Sequence, residues 1–298
     1  MKIMSQNNEH KHNTAVIWAI LAAALYAISS PVSKILLEKV PPTMMAGLLY
    51  LGAGIGMSII GFFRYKTGKF KKEMRITKKE MPFTVSMVVL DILAPIFLMI
   101  GLTMTTPANV SLLNNFEIVA TSLIALFIFK EAISKRLWLA IGLITISSIV
   151  LSVEDISSFS FSFGSIFVLL ASVCWGFENN CTRMLSVKDP LQVVVIKGFG
   201  SGVGSLIISF ILKETSTNVA YIFATLLLGF VAYGLSIYLY VYAQRELGAA
   251  KTSAYYAVAP FIGVGLSFVI FIQIPTISFV VALLVMIAGT YFATMDSK

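Results

Sequence analysis

The sequence predicts an all-α polytopic membrane protein, ten transmembrane helices arranged as two inverted five-helix repeats. Three observations carry that expectation. First, of the 298 residues 58% are hydrophobic and only 12% charged, with a mean hydropathy of +0.90. An average soluble domain has about 25% charged residues, so a soluble core of this composition would lack the polar surface to cover it. Second, apolar runs of roughly 20 residues recur along the whole chain, the length that crosses ~30 Å of hydrocarbon at ~1.5 Å per residue. Third, the second half of the chain repeats the pattern of the first.

Taken in order, the polar stretch MKIMSQNNEHKHN reads as a tail, residues 1–13, without a signal-peptide cleavage pattern ahead of the first span. Breaks at charged residues, Pro and Gly then delimit spans 1 to 10 at 14–37, 43–64, 81–103, 108–129, 135–152, 163–186, 190–212, 218–243, 249–272 and 275–294. Spans 1–5 form a unit at 14–152 and spans 6–10 a unit at 163–294. Most connections are very short, so successive spans run antiparallel. The connection from Arg64 to Lys79 holds eight of the 22 basic residues. With both termini in the cytoplasm, 18 bases fall on the inner side and three, Lys34, Lys39 and Lys213, on the outer side, while Lys197 lies within span 7. This is the positive-inside asymmetry of a multi-pass protein of the cytoplasmic membrane. It also accounts for the net charge of +8 without nucleic acid as a partner. Cys174 and Cys181 lie seven residues apart on one helix, about 10 Å along its axis and too far to bridge.

In the internal echo, Tyr26-Ala27 of span 1 corresponds to Trp175-Gly176 of span 6, and the same offset pairs Lys34 with Arg183 and Pro41 with Pro190. Farther on, Ser111 meets Ser253, Ile118 meets Pro260, Phe129 meets Phe271 and Glu131 meets Gln273. Five spans per copy is an odd number, so the second copy enters the membrane from the opposite side. Inverted repeats are a common plan of secondary transporters, with the substrate site near the midplane between them.

Four ionisable residues fall inside spans: Asp91, Glu117, Glu178 and Lys197. Each costs on the order of 3 kcal/mol to insert unless it is paired or faces a cavity. Glu178 and Lys197 share a depth, roughly 10–12 Å from the inner surface, and so form a candidate ion pair. It serves either as a latch between spans 6 and 7 or as a switch at which substrate or a proton competes for Glu178. Asp91 and Glu117 lie near the midplane with no evident base at their depth. They share a proton, balance a cationic substrate, or sit protonated against a neighbouring helix. Asn114 and Asn115 precede Glu117, and Asn179 and Asn180 follow Glu178. Consecutive asparagines point ~100° apart, so one of each pair can face a cavity. Tyr26, Trp175, Tyr233, Tyr255 and Tyr256 offer an aromatic wall suited to an organic cation, or else packing. Tyr26 and Trp175 stand out because they occupy matching positions. Glycines at 52, 54 and 56 and at 198, 200, 202 and 204 allow close helix contact between moving or static spans. Lys34, Glu38 and Lys130 lie at helix ends, where their heads reach water.

The run Ala108–Glu131, with its small residues, Ser, Leu-Leu, Glu and closing F-x-E, and its partner Ala249–Gln273, with Ala259-Pro260, resemble the EamA-type ten-helix transporters of the drug/metabolite transporter superfamily. The resemblance covers residues 15–294 and departs from the usual pattern at Gln273 and Ile118. It implies a central cavity lined by spans 1, 3, 4, 6, 8 and 9, braced by spans 5 and 10. It also implies alternating-access export of a small metabolite such as an amino acid, amine or drug-like organic cation, with no cofactor. Relatives occur as monomers and dimers, so a homodimer stands open. The alternative weighed is a membrane-embedded enzyme using the acid pair Asp91 and Glu117. Both histidines, His10 and His12, lie in the tail, and no H-E-x-x-H or Walker motif is present, so zinc hydrolysis and ATP-driven transport lack their parts. A channel needs symmetry about the membrane normal, which an inverted repeat does not supply.

Overall fold

The structure is a computed structural model that describes residues 2–66, 75–128, 130, 132–155, 160–185, 188–247, 252, 255–272 and 274–296. Phe129, Glu131, Ser253 and Gln273 of the repeat alignment, Lys251, Lys298 and residues 67–74 of the basic connection lie outside them. Span 1 comprises α1 (Lys2–Ala27) and α2 (Ser29–Leu36), span 2 is α3 (Pro42–Lys66), span 3 is α4 (Met81–Met104), span 4 is α5 (Pro107–Leu113) and α6 (Phe116–Phe127), and span 5 is α7 (Lys135–Ser152). In the second half, span 6 is α8 (Phe163–Leu185), span 7 is α9 (Pro190–Ile211), and span 8 is α10 (Val219–Leu228), a π-helical segment (Gly229–Leu235) and α11 (Ser236–Leu247). Span 9 includes α12 (Ala259–Phe271) and span 10 is α13 (Ile277–Asp296). A two-strand antiparallel hairpin, β1 (Val153–Asp155) with β2 (Ser160–Phe161), joins the halves.

Among the described residues eight helical segments are long and apolar enough to cross a membrane. Of the other two spans, α8 has the length but carries Glu178, Asn179, Asn180 and Arg183, and α12 is apolar but short.

Three spans break near their middles, each for a local reason. In span 1, Pro31 has no N–H to give the carbonyl of Ala27 four residues back, and the helix is interrupted at Ile28. In span 4, Asn114 and Asn115 tighten the backbone into i→i−3 bonds: the amide of Glu117 donates to the Asn114 carbonyl at 3.1 Å and that of Ile118 to the Asn115 carbonyl at 3.0 Å. Asparagine competes for backbone groups and is tolerated poorly in helix interiors. In span 9, α12 starts with Pro260 in its first turn, the position where a missing N–H does no harm. Because Ile118 aligns with Pro260, the breaks of spans 4 and 9 fall at equivalent places in the two halves.

The packing respects the same exchange. Span 2 packs on span 7, span 4 on span 9 and span 5 on span 10; span 3 packs on span 6 as span 1 packs on span 8. Swapping each span of one half for its counterpart in the other leaves this pattern unchanged. Spans 2 and 7 meet backbone to backbone: a Cβ at Gly198 would lie 2.4 Å from the Gly54 nitrogen, a distance no side chain tolerates. Span 8 presses on span 2 in the same way, with a Cβ at Gly229 2.0 Å from the Leu49 carbonyl oxygen.

The two ends of the bundle differ. At the basic end Arg64 pairs with Asp189, the N-cap of α9, at 2.9 Å, and Lys188 pairs with Glu80 at 3.2 Å. At the far end the amide of Thr43 donates to Glu214 Oε2 at 3.0 Å.

Candidate functional site

The site grows from Lys197 on α9. Its ammonium reaches Glu178 Oε1 on α8 at 3.0 Å and Asp91 Oδ2 on α4 at 3.1 Å. Asp91 is fully buried, and Glu178 and Lys197 are 2% and 6% exposed, so these charges rely on one another rather than on water. Tyr50 of α3 donates its hydroxyl to the other oxygen of Asp91 at 2.9 Å, and Thr182 donates to Glu178 Oε1. The equal-depth reading of Glu178 and Lys197 agrees with this geometry.

The expectation that Asp91 lacks a base at its depth is corrected: it shares Lys197 with Glu178. The sequence order did not reveal this because spans 3 and 7 are not neighbours in the chain, yet α4 packs against both α8 and α9. The charge cluster also draws on spans outside the cavity lining that the resemblance implies. Span 2 contributes Tyr50 and span 7 contributes Lys197.

Glu117 sits in the first turn of α6, just past the break, where the N-terminal dipole of the half-helix favours a carboxylate. Its hydrogen-bond partner is Asn179 of α8, whose amide also donates to Thr121 Oγ1 at 3.4 Å. Asn180, one step round the helix, donates to the Thr121 and Gly176 carbonyls at 3.2 and 2.9 Å. One asparagine of the pair thus serves the acid and the other holds helices together, as consecutive positions 100° apart require. Asn114 and Asn115 behave differently. Asn115 donates back to the Leu112 carbonyl at 3.4 Å, and the buried Oδ1 of Asn114 has no hydrogen-bond partner.

Beside the acids runs a chain of tyrosines at the helix breaks. Tyr26, at the break of span 1, has its ring 5.9 Å from that of Tyr233 in the π-helical segment and 6.0 Å from that of Tyr256 before α12. Tyr256 continues to Tyr240 at 4.9 Å and Tyr233 to Tyr50 at 5.3 Å. Ser29 donates to the Tyr233 hydroxyl at 3.3 Å. Tyr26 and Tyr256 both lie within electrostatic range of Glu117. Trp175, the repeat mate of Tyr26, is 6% exposed and packs in the main core. Matching positions therefore carry different roles. Sequence reasoning passed over Tyr50 and misplaced the head of Lys34. Tyr50 lies next to the glycine-rich run of span 2 with no charged neighbour in sequence to mark it. Lys34, expected with its head in water, instead donates to backbone carbonyls at the end of α4.

Among the described residues no three of His, Cys, Asp and Glu gather as metal ligands, and both cysteines are free thiols. What the arrangement offers is a set of charges on the unbroken spans 3, 6 and 7 beside Glu117 and hydrogen-bonding groups at the helix breaks.

A profile of the EamA-like transporter family matches residues 13–153 and again residues 162–295. The chain belongs to the EamA-like transporter family. The double match agrees with the two-fold packing pattern, and family membership makes this EamA-like chain a multi-pass membrane transporter rather than an enzyme. It is 26% identical over 299 residues to an uncharacterized transporter of Methanothermobacter thermautotrophicus, covering 94% of this chain and 85% of that one. It is 27% identical over 198 residues to the uncharacterized transporter YyaM of Bacillus subtilis, covering 63% of this chain and 65% of that one. A solved crystal structure matches the EamA-like fold with a TM-score of 0.67 at 17% identity, over 96% of this chain and 98% of its own. At that identity it speaks to the fold alone.

Proposed function

We propose that this transporter exports a small metabolite bearing a positive charge, an amine, amino acid or drug-like organic cation, in exchange for protons by alternating access. Its basic end and both termini face the cytoplasm, in keeping with the positive-inside asymmetry. The observation that carries the reading is the charge inventory. Around one base, Lys197, stand three carboxyl groups, Asp91, Glu178 and Glu117, of which only the first two touch it. Fully ionised, the three acids exceed Lys197 by two negative charges; a proton or the substrate's cationic group at Glu117 removes one of them, and the two compete. Tyr26 and Tyr256 supply aromatic faces for the cation, and the unpartnered Asn114 oxygen is an acceptor for a donor on the substrate. Helix breaks in spans 1, 4 and 9 support rocking of the half-helices, since loosened turns concentrate bending there.

The test is transport in reconstituted vesicles with an imposed pH gradient. Glu117→Gln and Glu178→Gln are each expected to abolish pH-dependent transport. If both variants transport with the pH dependence of the unmodified protein, the acids are structural and the proposal fails. A thermal-shift screen with amino acids, nucleosides, polyamines and quaternary amines identifies the substrate class by a cation-selective shift that disappears in Glu117→Gln.

A further inference from the structure

The last turn of α4 ends in backbone carbonyls with no intrahelical donor, the negative pole of that helix. The ammonium of Lys34, from α2, donates to three carbonyls there: to Leu102, to Thr103 at 3.3 Å and to Thr105 at 3.0 Å. Three acceptors converging on one nitrogen match the three N–H groups of a primary ammonium. They do not match a quaternary ammonium, which has none, or a planar guanidinium, whose donors diverge.

This cage borders a cavity of about 460 Å³ lined by Lys34, Thr103, Thr105, Thr106, Asn109 and Phe271. The lining mixes polar and apolar groups in about equal measure and opens at the far end of the bundle. The helix that bears Lys34 also leads to the centre of the molecule. Tyr26 stands at its break, Ser29 holds Tyr233, and the fully buried hydroxyl of Ser33 has no hydrogen-bond partner. A row of hydroxyls one turn apart thus runs from the tyrosine wall towards the cage.

We propose that the carbonyl cage is an ammonium site at the exit of the pathway, with Lys34 as its tethered resting occupant, and that a substrate's primary ammonium displaces Lys34 as it leaves. The inference rests on the reading of the substrate as a cation and narrows it to primary amines. It also gives Lys34 a role in keeping the exit closed, since the same side chain ties span 1 to the end of span 3.

The experiment uses the full-length protein in lipid nanodiscs, with butylammonium and tetramethylammonium as probes. In the unmodified protein, butylammonium should raise the labelling of Lys34 by an amine-reactive reagent several-fold relative to Lys39 and Lys213, exposed lysines of the same end that share any depletion of reagent. Tetramethylammonium should leave the ratio unchanged. In Lys34→Met the cage is vacated with the stem retained, and butylammonium should bind about tenfold more tightly, as expected when a competitor holds a site for ~90% of the time. That gain should persist in Glu117→Gln, which alters only the central acid. An unchanged labelling ratio, an equal response to tetramethylammonium, or equal affinity in Lys34→Met and the parent overturns the proposal. The labelling ratio decides the matter even where Lys34→Met fails to fold. The pH-dependent transport of Glu117→Gln reports on the central site alone, so the two readings fail separately.

Discussion

Removing the one base from the buried cluster is the most demanding test of how the central site is held together. Lys197→Met keeps the length and apolar stem of the side chain but strips two carboxyl groups of their cation at 3.0 and 3.1 Å. Asp91 keeps only the Tyr50 hydroxyl at 2.9 Å, and Glu178 only Thr182. Water cannot take over, because Asp91 and Glu178 are 0% and 2% exposed. Breaking a buried pair from one side typically costs about 3–5 kcal/mol. At ~2–4 °C per kcal/mol for a chain of this size, the apparent Tm in detergent should fall by roughly 6–20 °C. The same argument predicts rescue. Asp91→Asn and Glu178→Gln added to Lys197→Met remove the stranded charges, and the triple variant should recover most of the lost Tm while remaining inactive in transport. Scanning fluorimetry on the parent, the single and the triple variant measures this directly. A Lys197→Met protein as stable as its parent, or a triple variant no more stable than the single one, refutes the account of three mutually dependent charges.

Other expectations follow from the same geometry. Gly198→Ala drives a Cβ to 2.4 Å from the Gly54 nitrogen; overpacking of this kind costs about 1–3 kcal/mol, and the variant should show a lower Tm, whereas Gly142→Ala, with open space around it, should not. Tyr50→Phe removes a hydroxyl donor from Asp91 at 2.9 Å, and a bond to a charged group is worth about 1.5–3 kcal/mol; the loss should be smaller than that of Lys197→Met and should largely vanish in an Asp91→Asn background. At the basic end, Asp189→Ala loses both the N-cap bond to Leu191 at 3.2 Å and the pair with Arg64 at 2.9 Å. An N-cap is worth about 0.5–2 kcal/mol, and Asp189→Asn, which keeps the capping oxygen, should recover that share when the two variants are compared by thermal unfolding.

The fold was largely legible because membrane physics leaves few options. Backbone groups in lipid must be satisfied within each segment, so apolar run length translates almost directly into helices, and an odd number of spans per repeat dictates inversion. The breaks were only partly legible. Pro260 and Pro31 announce theirs, while the tightened turn at Asn114 and Asn115 needs its backbone seen. Of the site, the pairing of Glu178 with Lys197 could be read from their shared depth, although the two helices meet through these long side chains and pack on α4 rather than closely on each other. Asp91 could not be assigned its partner, because that contact crosses between spans 3 and 7, distant in the chain; nor could Tyr50 be assigned its acceptor, because a lone hydroxyl on span 2 does not mark which group of span 3 it faces.

What the sequence by itself determined is therefore the membrane class, the span count, the two-fold plan and the identity of the ionisable groups placed in lipid. Each follows from local composition and period. What only the tertiary structure decided is who neutralises whom: that Lys197 serves two acids, that Glu117 is left to an asparagine, that Tyr26 faces the wall while its mate Trp175 is buried in the core, and that Lys34 closes on the end of α4. Helix rotation and the choice of neighbour set these contacts, and neither is fixed by the periodicity of a single span.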